Sequence, residues 1–309
     1  MLLLANLFWG LSFPLVKALL LIQDRILPAG SGWFSSVYVI APRFVIGAIV
    51  MVLLQGRRVV DVRRSEWVQG SVIALFATAG MLLQNDALKY TAASTSAFLT
   101  QFYAIIIPVW LAYRGRRNPG IRVWSCAALV LAGVAVLGRF DWATMRFGRG
   151  EWETLACSLF YMGQILWLDK REYTGNRAPK ITLVLFLVEG AMLALVAALT
   201  APSSSAFLLP WTSTAWVWLT LALTLFCTLG SFSLMNAWQP KVTATEAGLI
   251  YCVEPIFGSV MALFLPALFS AWAAIAYPNE HLTWTLLVGG GLITVANVIL
   301  QAKPPARDP

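Results

Sequence analysis

Charge is what this 309-residue sequence has least of. Asp, Glu, Lys and Arg make up 12% of it, about half the ~25% typical of soluble globular chains. A chain so poor in charge cannot cover a water-facing surface, which excludes an ordinary soluble protein. Histidine occurs once and cysteine four times. Cys126, Cys157, Cys227 and Cys252 each sit alone in apolar sequence with no CxxC spacing, so they read as small buried hydrophobes. Neither a disulfide framework nor a metal site is expected. A GxxxxGK[ST] loop is missing too, which excludes a built-in nucleotide motor. With scattered acids and one loop histidine, His281, no catalytic residues, cofactor or metal are expected.

What the sequence does have is apolar bulk. It is 59% hydrophobic, with 14 Trp and 17 Phe. A helix crossing a hydrocarbon core of about 30 Å needs roughly 20 apolar residues. Runs of that size fall at 1–22, 34–55, 67–86, 94–113, 122–138, 151–169, 181–200, 213–236, 246–268 and 282–301. The fold class predicted is all-α, a polytopic membrane protein of ten transmembrane helices. Residues 270–277 read as a short interfacial helix. The first run lacks the basic leader and cleavage site of a signal peptide. It is therefore expected to remain as a span, with the natural start slightly upstream of Met1.

The basic residues orient the chain. With the N-terminus in the cytoplasm, fifteen lie in inner loops: Arg57, Arg58, Arg63, Arg64, Arg114, Arg116, Arg117, Arg122, Lys170, Arg171, Arg177, Lys180, Lys241, Lys303 and Arg307. Five lie outside: Arg25, Lys89, Arg139, Arg146 and Arg149. This is a positive-inside bias in short loops, and it places both termini in the cytoplasm. The formal charge of +8 thus reports topology and contact with membrane lipids, and nucleic acid is not a partner.

The chain also resembles itself at half its length. An offset of 150 aligns Ala87, Thr95, Ala97, Leu99 and Ile106 with Ala237, Thr245, Ala247, Leu249 and Ile256. An offset of 152 aligns Leu7-Phe8-Trp9 with Leu159-Phe160-Tyr161. Five crossings leave a chain on the opposite side, so a second five-helix copy inserts upside down. The predicted units are a first repeat over 1–138, an inverted second repeat over 151–301 and a short cytoplasmic tail over 302–309. Inverted repeats are the architecture of many secondary transporters, with the substrate near the midplane between the halves.

Several stretches carry a further likeness: LFWGLSFP in the first span, PRF at 42–44, ALKYTAASTSAFL entering the fourth and ATEAGLIYCVEPIFGSVMALF in the ninth. NEHLTWTLLVGGGLITVANVIL leads into the tenth. In this order, with Glu254-Pro255 and then Glu280 before the last span, the chain resembles EamA-type transporters of the drug/metabolite transporter superfamily. It departs from them at Arg116-Arg117, where an acidic residue is usual, and in a longer segment between Pro255 and Glu280. The resemblance implies a ten-helix permease of the cell inner membrane that moves small metabolites, often outward. It also implies a central cavity lined by the first, third, fourth, sixth, eighth and ninth spans.

Ionisable side chains within a bilayer are costly and need a partner, a cavity or the interface. Arg43 lies about 13 Å into its span at helical rise, beside Pro42, which removes a backbone bond. It reads as a bidentate donor to a substrate carboxylate or phosphate, or as half of a structural ion pair. Lys17 either snorkels or joins Asn6, Trp9 and Phe13 in a cavity wall. Glu254, before Pro255, suits a proton or a cationic substrate group. Glu189 reads as an interhelical contact first and an ion- or proton-coupling site second. Gln101, Tyr103, Tyr161 and Tyr251 complete the expected substrate-binding set, and Pro108 and Pro255 are expected hinges. Thr220, Thr224, Thr228 and Ser231 form a stripe that is either helix–helix glue or pathway. Gly289-Gly290-Gly291 should permit close packing. A small-molecule substrate is the expected partner, and a homodimer is a further option. The alternative function is an intramembrane enzyme acting on lipid-linked substrates, for which the sequence offers no convergent catalytic groups.

Overall fold

The structure, a computed structural model, describes residues 1–28, 31–115, 120–137, 147–242 and 244–301. Arg116, Arg117, Arg139, Arg146 and the predicted tail lie outside these residues. Each of the ten predicted runs holds helix among the described residues, which leave out Gly138 at the end of the fifth. Helix α1 covers Leu2–Ile26, α2 Gly32–Tyr38, α3 Ala41–Gln55, α4 Arg64–Ala87, α5 Ala93–Thr100, α6 Tyr103–Arg114, α7 Gly120–Leu137 and α8 Arg149–Leu168. Helix α9 covers Ala178–Thr200 and α10 Thr214–Ala222. A π-helix over Leu223–Gly230 then joins α10 to α11, Ser231–Trp238. Helix α12 is Ala244–Tyr251, α13 Glu254–Ala262, α14 Leu265–Ala273 and α15 Trp284–Gln301.

Six helical runs among the described residues are long and apolar enough to cross a membrane, and the bent pair α13–α14 makes a seventh. The chain is therefore an all-helical polytopic membrane protein with six or seven candidate spans. The sixth predicted span, α8, is diluted by Arg149, Glu151, Glu153 and Gln164. Helix α15 holds a shorter apolar stretch over Trp284–Ala296.

Four segments differ from the expectation of continuous helices. The second predicted span breaks at Val39–Ile40, and Pro42 sits in the first turn of α3. There its missing N–H costs nothing, so Pro42 starts a helix instead of kinking one. The fourth span breaks at Gln101–Phe102. Pro108 lies inside the continuous α6, well past that break. The ninth span breaks at Cys252–Val253, directly before Pro255 in the first turn of α13. It then bends by 50° into α14. The short helix expected over 270–277 lies earlier, at 265–273, and ends on Ala274, whose φ of 52° is left-handed.

Packing brings α1 against α13 and α11, α4 against α8 and α9, α3 against α9, and α7 against α15. Glycines allow the closest approaches. A Cβ on Gly10 would lie 2.8 Å from the Gly258 nitrogen, and one on Gly133 2.8 Å from the Gly289 carbonyl. Two glycines of the α15 triplet serve packing, Gly289 against Gly133 and Gly290 against the Phe98 ring, while a Cβ on Gly291 would meet nothing within 4 Å.

Candidate functional site

The interrupted helices converge on a cavity in the middle of the bundle. Trp9 and Ser12 reach it from α1, Arg43 from α3, Met81 and Gln84 from α4, and Thr100 and Tyr103 from the fourth-span break. Tyr161, Gln164 and Ile165 come from α8, Cys227 from the π-helix, Phe232 and Met235 from α11, and Tyr251 and Glu254 from the ninth-span break. The expected first, third, fourth, sixth, eighth and ninth spans all contribute, and the second adds Arg43.

Arg43 is 4% exposed. Its Nη2 faces the Met81 sulfur at 2.8 Å, its Nε has no partner, and its guanidinium carbon lies 4.9 Å from the Phe44 ring centroid. A thioether is a weak acceptor for a guanidinium, so most of this group's donor capacity is unused. Behind it, Glu189 is fully buried on α9, and neither carboxylate oxygen has a hydrogen-bond partner. Glu189 lies within electrostatic reach of Arg43 but does not line the cavity. Across the space, Glu254 accepts from Gln101 Nε2 at 3.3 Å. Gln101 itself is fully buried behind the wall.

The aromatic walls are fixed by hydrogen bonds and ring contacts. Trp9 meets Tyr251 and Phe232 edge-on, with centroids 5.4 and 5.8 Å apart. Tyr251 donates to Gln239 at 2.8 Å, and Gln239 donates to the Ile165 carbonyl. Tyr161 donates to Gln84 at 2.9 Å, which donates to Thr100 at 3.0 Å. Asn6 donates to the Ile250 carbonyl at 2.7 Å. It thereby supplies a partner to backbone at the end of α12, next to the break.

Of the residues the sequence singled out, Trp9, Arg43, Tyr103, Tyr161, Tyr251 and Glu254 face this cavity. Phe13 is packed in the core. Lys17 turns away from the cavity and donates to the Thr91 carbonyl at 2.7 Å, joining α1 to the α4–α5 connection. The threonine stripe bonds back onto its own helix: Thr224 to Thr220, Thr228 to Leu223 and Ser231 to Cys227. Gln84, Gln164, Cys227 and Met235 were not anticipated. Gln164 shares a helical face with Tyr161 three residues earlier, which was the available signal.

Two layers of polar contacts lie to either side. One joins Asp86 on α4 to Ser36, Lys89 and Arg149. The other joins Asp61 and Glu66 to Arg177 at 2.6 and 2.8 Å, with Ser65 donating to Asn176 at 2.8 Å. Arg177 holds the Asp61 carboxyl below the usual carboxylate range by hydrogen bond and charge.

Residues 1–139 match the EamA-like transporter family. Over 303 residues the chain is 25% identical to an uncharacterized transporter from Archaeoglobus fulgidus, covering 97% of this chain and 84% of that one. A solved crystal structure resembles it with a TM-score of 0.58 at 18% identity, covering 95% of each chain. At that identity the likeness concerns the fold alone.

Proposed function

We propose that the chain, whose first 139 residues match the EamA-like transporter family, is a member of that family and a secondary active transporter of small zwitterionic or anionic metabolites such as amino acids. Arg43 takes the substrate carboxylate, Glu254 takes the cationic group or a proton, and the aromatic walls take the apolar part. Glu189, sharing the field of Arg43, is the second coupling site. The working direction is export through the cell inner membrane, with both termini cytoplasmic.

The observation that carries alternating access is the pairing of the cavity lining. At an offset of 152, Trp9 corresponds to Tyr161 and Ser12 to Gln164. At 151, Met81 corresponds to Phe232, Gln84 to Met235, Thr100 to Tyr251 and Tyr103 to Glu254. Both partners of all six pairs line the same cavity. The two helix breaks, at 101–102 and 252–253, are themselves 151 residues apart. Helix pairing exchanges in the same way: α4 with α8 mirrors α11 with α1, while α3–α9 and α7–α15 each map onto themselves. Two inverted repeats of five spans, making ten crossings, would produce this pattern, and binding at their interface follows. The breaks at Gln101–Phe102 and at Cys252–Val253, beside Pro255, are the hinges, with Pro108 a turn and a half along α6.

The test is purified protein in liposomes against a metabolite panel, with and without a pH gradient. Flux of carboxylate-bearing compounds that fails with their amides is expected. No flux for any panel member would count heavily against transport. Equal flux of acids and amides would overturn the role of Arg43. Insensitivity to the pH gradient in the wild type would remove the coupling roles of Glu254 and Glu189.

A further inference from the structure

The α3–α9 seam has a second face, turned away from the cavity. The two helices run antiparallel in close register. A Cβ on Gly190 would lie 3.3 Å from Phe44 and Val45 backbone, one on Gly47 3.3 Å from the Phe186 ring, and Gln55 Nε2 donates to the Pro179 carbonyl at 2.9 Å. On the outward side Val45, Ile49 and Leu53 face Leu187, Ala191 and Ala194 across an open apolar groove. The small residues of α9 leave it unfilled.

At the Gln55 end a second, open hollow is lined by Leu54, Gln55, Arg58, Asp61, Arg177 and Lys180. Its charges are unequally committed. Arg177 is held by Asp61 and Glu66, whose two charges more than offset its own. Lys180 spends one donor on the Arg58 carbonyl and keeps two of its three. The Arg58 guanidinium is exposed and donates to nothing among the described residues, with Arg57 exposed beside it. The N-terminus of α9 adds its positive dipole end.

The dimensions select the occupant. From Val45 to Gln55 a helix rises about 15 Å, half of a hydrocarbon core of about 30 Å. An apolar groove about one leaflet deep, with a cationic hollow at its Gln55 end, has the shape of a single lipid. A helix from a second copy would need a groove crossing both leaflets. We propose that this seam binds one anionic phospholipid, with its phosphate at Arg58 and Lys180 and an acyl chain along α3 and α9. Because α3 and α9 belong to different halves of the chain, the bound lipid bridges them. The proposal requires a membrane-embedded chain and is independent of what the cavity carries.

Native mass spectrometry of the detergent-purified protein tests this, with dioleoyl-phosphatidylglycerol and dioleoyl-phosphatidylcholine as probes. One phosphatidylglycerol should be retained in preference to phosphatidylcholine. Arg58→Gln should cut that preference by about fivefold, the effect of one basic side chain at a membrane surface. Ala194→Trp, at an exposed position, should fill the groove and abolish retention while circular dichroism stays unchanged. Equal retention of both lipids, or a preference unmoved by Arg58→Gln, would overturn the proposal. So would competition by glycerol phosphate as effective as by the lipid, which would mark a phosphate site without a chain. Loss of a dimer in Ala194→Trp with lipid retention intact would assign the groove to a second copy instead.

Discussion

A guanidinium buried beside a thioether is held ready for a better acceptor. Arg43 has that arrangement, and a charge-assisted bond to a carboxylate would contribute about 1.5–3 kcal/mol. Arg43→Lys keeps the charge but loses the fork. Liposome uptake should therefore show substrate affinity falling by roughly 10- to 100-fold, with insertion unchanged. Wild-type affinity in Arg43→Lys would reduce Arg43 to a bare positive charge. Asn6 works through backbone: its amide meets the Ile250 carbonyl beside a break. Asn6→Ala should lower stability by about 1–3 kcal/mol, read as an earlier thermal transition in detergent. At this scale the sequence exposed Arg43 and Glu254, because ionised groups are conspicuous in apolar runs. It hid Gln84, Gln164 and Cys227, because neutral polar side chains cost little enough to occur anywhere in a helix. It misplaced Phe13 and Lys17, because a shared helical face does not say which neighbour that face meets.

Interruptions, more than the helices themselves, build the site. Each apolar run holds helix among the described residues, since length and hydropathy are local properties. The breaks at Gln101–Phe102 and Cys252–Val253 were not legible in the same way. Pro255 marks one of them, but Pro108 sits inside an intact helix. The π-helix at Leu223–Gly230 was equally silent. There an extra residue per turn carries Cys227 into the cavity wall. At the charged end of α4 and α9, the Asp61–Arg177 pair has a pH signature. The Asp61 carboxyl is held low in the folded state, so its contribution is present above the unfolded value of about 3.9. It is lost as pH falls through the lower folded value. Melting curves of wild type and Asp61→Asn should differ by a constant amount from pH 7 to about 4 and converge below that. A difference that changes near neutrality would assign the effect to another group.

Two polar layers flank the cavity, one around Asp86 and Arg149 and one around Glu66 and Arg177. Each joins the first half of the chain to the second. If the halves rock as units, each layer must open in turn. A cross-link in one should arrest the cycle. Ser65 and Asn176 touch across the Glu66 layer, and the four native cysteines are all buried. The Ser65→Cys/Asn176→Cys variant should lose flux on oxidation and regain it on reduction. Full flux in the cross-linked protein would mean that this layer does not move. By itself the sequence determined that the chain lives in a membrane and that it is helical. Those properties follow from composition and periodicity, which every segment carries locally. Only the tertiary structure decided that Trp9, Arg43, Tyr161, Tyr251 and Glu254 share one cavity. It also decided that Glu189 backs Arg43 without entering that cavity, and that α3 and α9 leave a groove on their outer face. Those relations depend on which helix faces meet, and helix packing fixes that between segments far apart in the chain.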